Sequence, residues 1–162
     1  MNCQELEREL GQAGAGELLQ SAQLARLAYN GPEGFPRVIP IGFHWNGEDI
    51  VICTATTAPK VRALSSRPEV AVTIDVGSTP SEAKSLLVRG IATVEIVHGV
   101  PSEYLAASRK SLDAEQAETF EGSVRSMYDQ MARIAIEPRW ARFYDFGAGR
   151  IPTFLSTLAR AS

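Results

Sequence analysis

The apolar residues of this chain fall into three patterns: helical spacing, alternation and short continuous runs. Leu6 and Leu10 share one face of a short predicted helix over Asn2–Leu10. Gly11–Gly16 (GQAGAG) interrupts it and reads as a hinge. These glycines follow no strand and are wrongly spaced for a dinucleotide-binding loop. Glu17–Gln23 is helical again, with Leu18 and Leu19 toward a core. Leu24–Tyr29 predicts a strand, and Asn30-Gly-Pro-Glu-Gly34 is turn chemistry. Arg37–Trp45 returns as the partner strand. Pro36 and Pro40 there mark an edge, a bulge or a strand start, because proline donates nothing to a ladder. Asn46-Gly47 lies between β-rich runs and predicts a hairpin with a type I′ turn, which needs positive φ at both positions. Asp49–Thr56 follows, and its unbroken run Ile50-Val-Ile-Cys53 suits a strand buried on both faces.

Beyond it, Lys60–Ser66 predicts one or two helical turns, ended by Pro68. Val70–Val76 and Ser85–Val97 are strands, and Gly90 inside the second predicts a bulge or sharp bend. Pro101 suits the first position of a helix toward Ser111, and Asp113 caps another reaching about Arg133. Ile134–Glu137 and Trp140–Phe146 are strand material with Pro138 between them. Phe154, Leu155 and Leu158 predict a short terminal helix. Hairpin turns without steady strand–helix alternation favour an antiparallel barrel or sandwich over a doubly wound sheet.

Composition narrows the partners. A chain of 162 residues, 44% hydrophobic and 22% charged, is expected to fold as a globular domain with a proper core. A net charge of −3 with no basic block argues against nucleic acid. No window approaches the roughly 18 apolar residues of a membrane span, and the polar start Met-Asn-Cys-Gln-Glu has no apolar signal region. Cys3 and Cys53 lie in unlike contexts and read as reduced thiols, so a cytoplasmic protein is expected.

Common catalytic motifs are absent: no nucleophile elbow, no phosphate-binding P-loop, no zinc-protease helix. His44 and His98 are far apart, and no Cys/His cluster suggests a metal. Nothing sets the separation of Asp75 and Glu95, so no paired-carboxylate mechanism follows. What remains is Gly34–Leu64. Arg37 precedes a strand; Thr54, Thr56 and Thr57 end the next; Lys60 stands at a helix start after Pro59. Free N–H groups, a positive dipole end, hydroxyls and cations suit a phosphate. The alternative is that Thr57 caps the helix and Lys60 is merely solvated.

The ordered set Leu27-Ala-Tyr29, Gly34-Phe-Pro-Arg-Val-Ile-Pro-Ile-Gly-Phe43, Trp45-Asn-Gly47, Ile52-Cys-Thr-Ala-Thr56, Lys60-Val-Arg-Ala-Leu64 and Arg67-Pro-Glu-Val-Ala-Val72 resembles the pyridoxamine 5′-phosphate oxidase-like flavin-binding proteins. Leu87–Val94 and Glu137–Phe143 continue it, so the resemblance spans Leu18–Phe146. It implies a mainly β fold with flanking helices, an antiparallel split β-barrel of about six strands. Residues 1–16 would be an N-terminal helical segment and 17–162 the single flavin-binding domain. It further implies a homodimer with FMN in clefts between subunits, or the deazaflavin F420 in its place. Carried over by position, Arg37, Val38, Ile39 and Pro40 would line the isoalloxazine ring. Thr54, Ala55 and Thr56 would hold the ring edge or ribityl chain. Lys60, with Thr57 and Val61, would take the phosphate. Many members carry arginine two residues before that lysine, where this chain has Ala58. Nothing matches the basic cluster that holds substrate phosphate in pyridoxamine phosphate oxidases, so that activity is not expected. The implied function is FMN-dependent oxidoreduction of a small molecule. A non-enzymatic flavin-binding or sensor protein is the alternative. No catalytic side chain is expected, because the cofactor carries the chemistry.

Overall fold

The structure, a computed structural model, describes residues 1–160; the last two residues of the expected 17–162 domain lie outside them. Helix α1 (Cys3–Leu10) opens on a capping box, with Asn2 Oδ1 accepting from Glu5 N–H and Glu5 Oε2 accepting from Asn2 N–H. Helix α2 (Ala13–Ser21) follows at once. The expected hinge at Gly11–Gly16 is therefore not formed: Gly11 closes α1, and Gly14 and Gly16 lie inside α2. Packing overrides propensity here. A Cβ on Gly14 would stand 2.5 Å from Phe143 Cζ, so glycine lets α2 lie against that ring and bury Ala15, Leu18 and Leu19.

Strands β1 (Leu24–Asn30) and β2 (Pro36–Gly42) form the first antiparallel pair. β3 (His44–Trp45) and β4 (Ile50–Thr54) form the next, as expected. Their turn differs from the prediction. Only Gly47 has positive φ (103°), and Asn46 Oδ1 accepts from the N–H groups of Glu48 and Asp49 at 2.9 and 2.7 Å. The loop is thus an Asx turn that keeps Asn46 out of the left-handed region. Helix α3 (Pro59–Ser66) and strand β5 (Glu69–Val76) follow, then the long β6 (Lys84–His98). Helix α4 (Ser102–Arg109) has Pro101 as its N-cap, one place earlier than expected. Helix α5 (Ala114–Met127) opens on the capping box of Asp113 and Gln116. It stops short of Arg133 because Gln130 onward pairs with β6 and Met131 is buried. That stretch begins β7 (Gln130–Asp145), and α6 (Thr153–Arg160) ends the described chain.

The strands form one seven-stranded antiparallel sheet in the order β2-β1-β5-β6-β7-β4-β3. The first half of β6 pairs with β5 on one side and β7 on the other. Its second half pairs with β7 alone, and the first half of β7 carries β4. The sheet thus bends along the shared β6–β7 ribbon and stays open, with β2 and β3 as edges. The fold is a split β-barrel with flanking helices. A bulge at the bend joins the two expected pieces of the last strand into one. Arg89 faces Trp140 and Gly90 faces Pro138, leaving Arg139 as the extra residue. A Cβ on Gly90 would lie 2.5 Å from Glu137 O, so only glycine permits the close approach.

Two cores explain the doubly buried β4. Ile50 and Ile52 join the main core with Leu27, Phe43, Ile74 and Ile134, which α2 covers. Val51 and Cys53 point the other way, into a smaller cluster with Leu105, Val124 and Met131 beneath α4 and α5. No helix among the described residues is long and apolar enough to cross a membrane.

Candidate functional site

The chain leaves β4 through residues 55–58 and enters α3 at Pro59. Ala58 is the N-cap, with β-region backbone and no side-chain oxygen to offer; Pro59 has no N–H and Val61 N–H donates to Ala58 O at 2.9 Å, so the Lys60 N–H is left without a side-chain cap. Thr57 does not cap the helix, which removes that reading of it; it is exposed and lines a cavity instead. Lys60 occupies the second position of α3. Its half-buried ammonium is pulled below the ordinary 10.5 by burial, and it has no ion-pair partner among the described residues.

Beside it, a cavity of about 590 Å³ lies between α3 and the β1–β2 turn, lined by Asn30, Arg37, Thr56, Thr57, Arg62 and Arg67 among others. Its three arginines are not equivalent. Arg37 forks onto Glu33 Oε1 with contacts of 2.7 and 3.2 Å. Arg67 donates to the carbonyls of Gly31 and Pro32 and so clamps the turn. Arg62 forms no ion pair among the described residues, which leaves it the uncommitted cation of the cavity. A second cavity, about 520 Å³, is lined by Thr54, Ala55, Tyr104, Phe120 and Tyr128 among others. Thr54 and Ala55 thus line one cavity and the next two residues, Thr56 and Thr57, the other. A third cavity beside α1, about 610 Å³, is lined by Glu7, Glu48, Asp49 and Glu137 and disfavours an anion.

The structure brings Arg37, Thr56, Thr57 and Val61 to the basic cavity and Thr54 and Ala55 to the second one. Lys60 shares the first turn of α3 with Val61 but is not among the cavity-lining residues. Along β2, Ile39 faces the core opposite Leu27, while Val38 and Pro40 are exposed on the outer sheet face. Arg62 and Arg67 were missed from sequence. A helical count was the available signal: from Pro59, positions 62, 63 and 66 return to one face. For Tyr104, Phe120 and Tyr128 there was no such signal, because α4, α5 and β7 bring them together only in space.

The sequence matches the pyridoxamine 5′-phosphate oxidase family over residues 14–145. The chain belongs to that family. Solved structures share its fold. A conserved hypothetical protein from Mycobacterium tuberculosis is 17% identical with a TM-score of 0.67, covering 88% of this chain and 89% of that one. An F420 reductase is 25% identical with a TM-score of 0.60, covering 80% of this chain and 97% of that one. A heme storage protein from Vibrio cholerae is 20% identical with a TM-score of 0.54, covering 83% and 91% respectively. No curated protein matches the chain.

Pyridoxamine 5′-phosphate oxidase-like proteins bind flavins. The donor set at the start of α3 fits the phosphate end of such a cofactor. It combines the uncapped Lys60 N–H, a desolvated lysine without a counter-charge among the described residues, and threonine hydroxyls. No group of three or more His, Cys, Asp or Glu among the described residues converges to hold a metal.

Proposed function

We propose that this chain is an FMN-dependent oxidoreductase of the pyridoxamine 5′-phosphate oxidase-like class, acting on a small molecule. The observation that carries the reading is Lys60: a cation desolvated at a helix start, unmatched by any carboxylate among the described residues. Burying an unpaired charge is costly, and a phosphate there would offset that cost. Arg62, Thr56 and Thr57 add donors on the adjoining cavity wall. Bound flavin would supply the hydride or electron transfer, which accounts for the lack of a catalytic side-chain motif. The residues of this chain then bind and orient. Thr54 and Ala55, at the end of β4 just before Thr56, are assigned to the ring edge or ribityl chain. Arg37, Val38, Ile39 and Pro40 are assigned to the ring, and Arg37 must release Glu33 to take part.

The homodimer belongs to the same proposal. The register aligns Val38, Ala28, Ala71, Arg89 and Trp140 across the outer sheet face, with Val38 64% exposed. Arg89 stacks 4.5 Å over the Trp140 ring, which sets a cation and an aromatic ring in line with the exposed Val38, an amphipathic face suited to a second copy. The free thiols of Cys3 and Cys53 support a cytoplasmic setting. A second reading replaces FMN with F420 and is favoured by the likeness to an F420 reductase over 97% of that chain.

Titration of the purified chain with FMN and with F420, read by absorbance and calorimetry, tests both readings. Saturable binding of one is expected, and binding of neither would refute both. Oxidation of a reduced nicotinamide by the flavin-loaded protein would mark an enzyme; stable binding without turnover would mark a flavin-binding or sensor protein.

A further inference from the structure

The cavity between the end of β4 and the α4–α5 pair has no charged residue in its lining. Its volume of about 520 Å³ is that of an ordinary small-molecule site. One wall is aromatic. The rings of Tyr104 and Phe120 lie 5.9 Å apart at 31°, and those of Tyr104 and Tyr128 lie 6.5 Å apart at 78°. Cys53 and Met131 line it as apolar sulfur groups, and burial pushes the Cys53 thiol up to about 12, so it stays neutral. Glu103 and Arg133, whose charges reach Cys53, pair with each other at 2.9 Å and are not in the lining.

The polar atoms of the lining divide into two sets. Ser108 and Ser111 already donate to the carbonyls of Tyr104 and Ser108, at 2.9 and 3.1 Å. The hydroxyls of Thr54, Tyr104 and Tyr128 and the Gln23 side-chain amide have no hydrogen-bond partner among the described residues. A charged ligand would lose its hydration against these walls and gain no counter-charge. A ligand with oxygen acceptors would satisfy donors that the chain leaves open.

We propose that this cavity binds an uncharged, flat aromatic or conjugated molecule carrying hydrogen-bond-accepting oxygen, held against the Tyr104, Phe120 and Tyr128 rings and accepting from the tyrosine hydroxyls. Its lining residues Thr54 and Ala55 directly precede Thr56 and Thr57 of the basic cavity, which suits it to hold the substrate, a role that rests on the proposed flavin chemistry. Binding itself does not rest on that chemistry.

Calorimetric titration of the full chain with three probes tests the site: coumarin (uncharged, with a lactone acceptor), naphthalene (no acceptor) and coumarin-3-carboxylate (charged). Coumarin is expected to bind one-to-one, about tenfold more tightly than either comparator. The double substitution Tyr104→Phe, Tyr128→Phe keeps both rings. It should weaken coumarin about tenfold and leave naphthalene unchanged. Ser108→Phe fills the cavity and should weaken both. The proposal is overturned by no saturable coumarin binding, by tighter binding of the carboxylate, or by coumarin affinity indifferent to both variants. Only Thr54 and Ala55 are common to this lining and to the residues assigned to FMN, and the variants alter neither, so FMN titration of each variant reads the cofactor site separately and either site can fail while the other stands.

Discussion

Two half-buried lysines show how residue-level chemistry separates support from binding. Burial pulls the Lys110 ammonium toward about 8, yet it donates to the carbonyls of Leu19 and Ala22 at 3.2 Å each and sits 3.7 Å from the Phe43 ring centroid. Those acceptors hold the charge and use it to close the end of α2. Lys60 is desolvated in the same direction and has no such partner. Its Lys60→Ala variant is expected to weaken FMN by about 1.5–3 kcal/mol, the worth of a charged hydrogen bond, and to leave riboflavin, which lacks the phosphate, unchanged. Calorimetry with both ligands checks this; equal loss for both would mean Lys60 does not contact phosphate. Lys60 and its neighbours Thr56 and Thr57 were visible in sequence as donors near a helix start. Ala58 was visible too, but only the structure shows that it leaves that helix end uncapped.

At the scale of elements, α1 is tied down by a single carboxylate. Glu9 is only 4% exposed, accepts from the Phe143 amide at 2.9 Å, and pairs with Arg150 at 2.6 Å and Arg142 at 3.2 Å. It thereby joins α1, β7 and the turn after β7. Burial alone would raise its pKa, but the amide and the two guanidinium groups outweigh burial and hold it below 4.5. Because the folded value is the lower one, the unfolded chain binds more protons as pH falls, and stability drops with it. Glu9→Gln is expected to cost about 1–3 kcal/mol at neutral pH. Thermal unfolding should show that gap narrowing as pH falls below 4.5 and through the depressed folded value. A gap independent of pH would show that the charge is not what holds α1. None of this was legible in sequence. Glu9 is one of several acids on a short polar helix, and its partners lie more than 130 residues away.

The whole molecule presents an open sheet with an exposed apolar edge. Phe35 is 72% and Val38 64% exposed, on and beside the edge strand β2, where Pro36 and Pro40 limit further strand pairing. Such a face is stable in water when it is covered. Light scattering is expected to show a dimer for the native chain and a monomer for Val38→Asp, with the fold retained by circular dichroism, because Val38 makes no core contact. A dimer unchanged by that substitution would move the interface elsewhere.

The sequence by itself determined the elements whose signal is local. Alternation drew the strands, Asp113 marked a helix start, Gly90 announced the bend, and the ordered motifs carried the family. Tertiary structure alone decided what depends on distant partners. It turned GQAGAG into helix by setting Phe143 against Gly14, fused the last strand across Pro138, and divided residues 54–57 between a basic cavity and an aromatic one. The physical reason is the same each time. Periodicity reports which face a residue shows, whereas contact across the β6–β7 bend determines what that face meets.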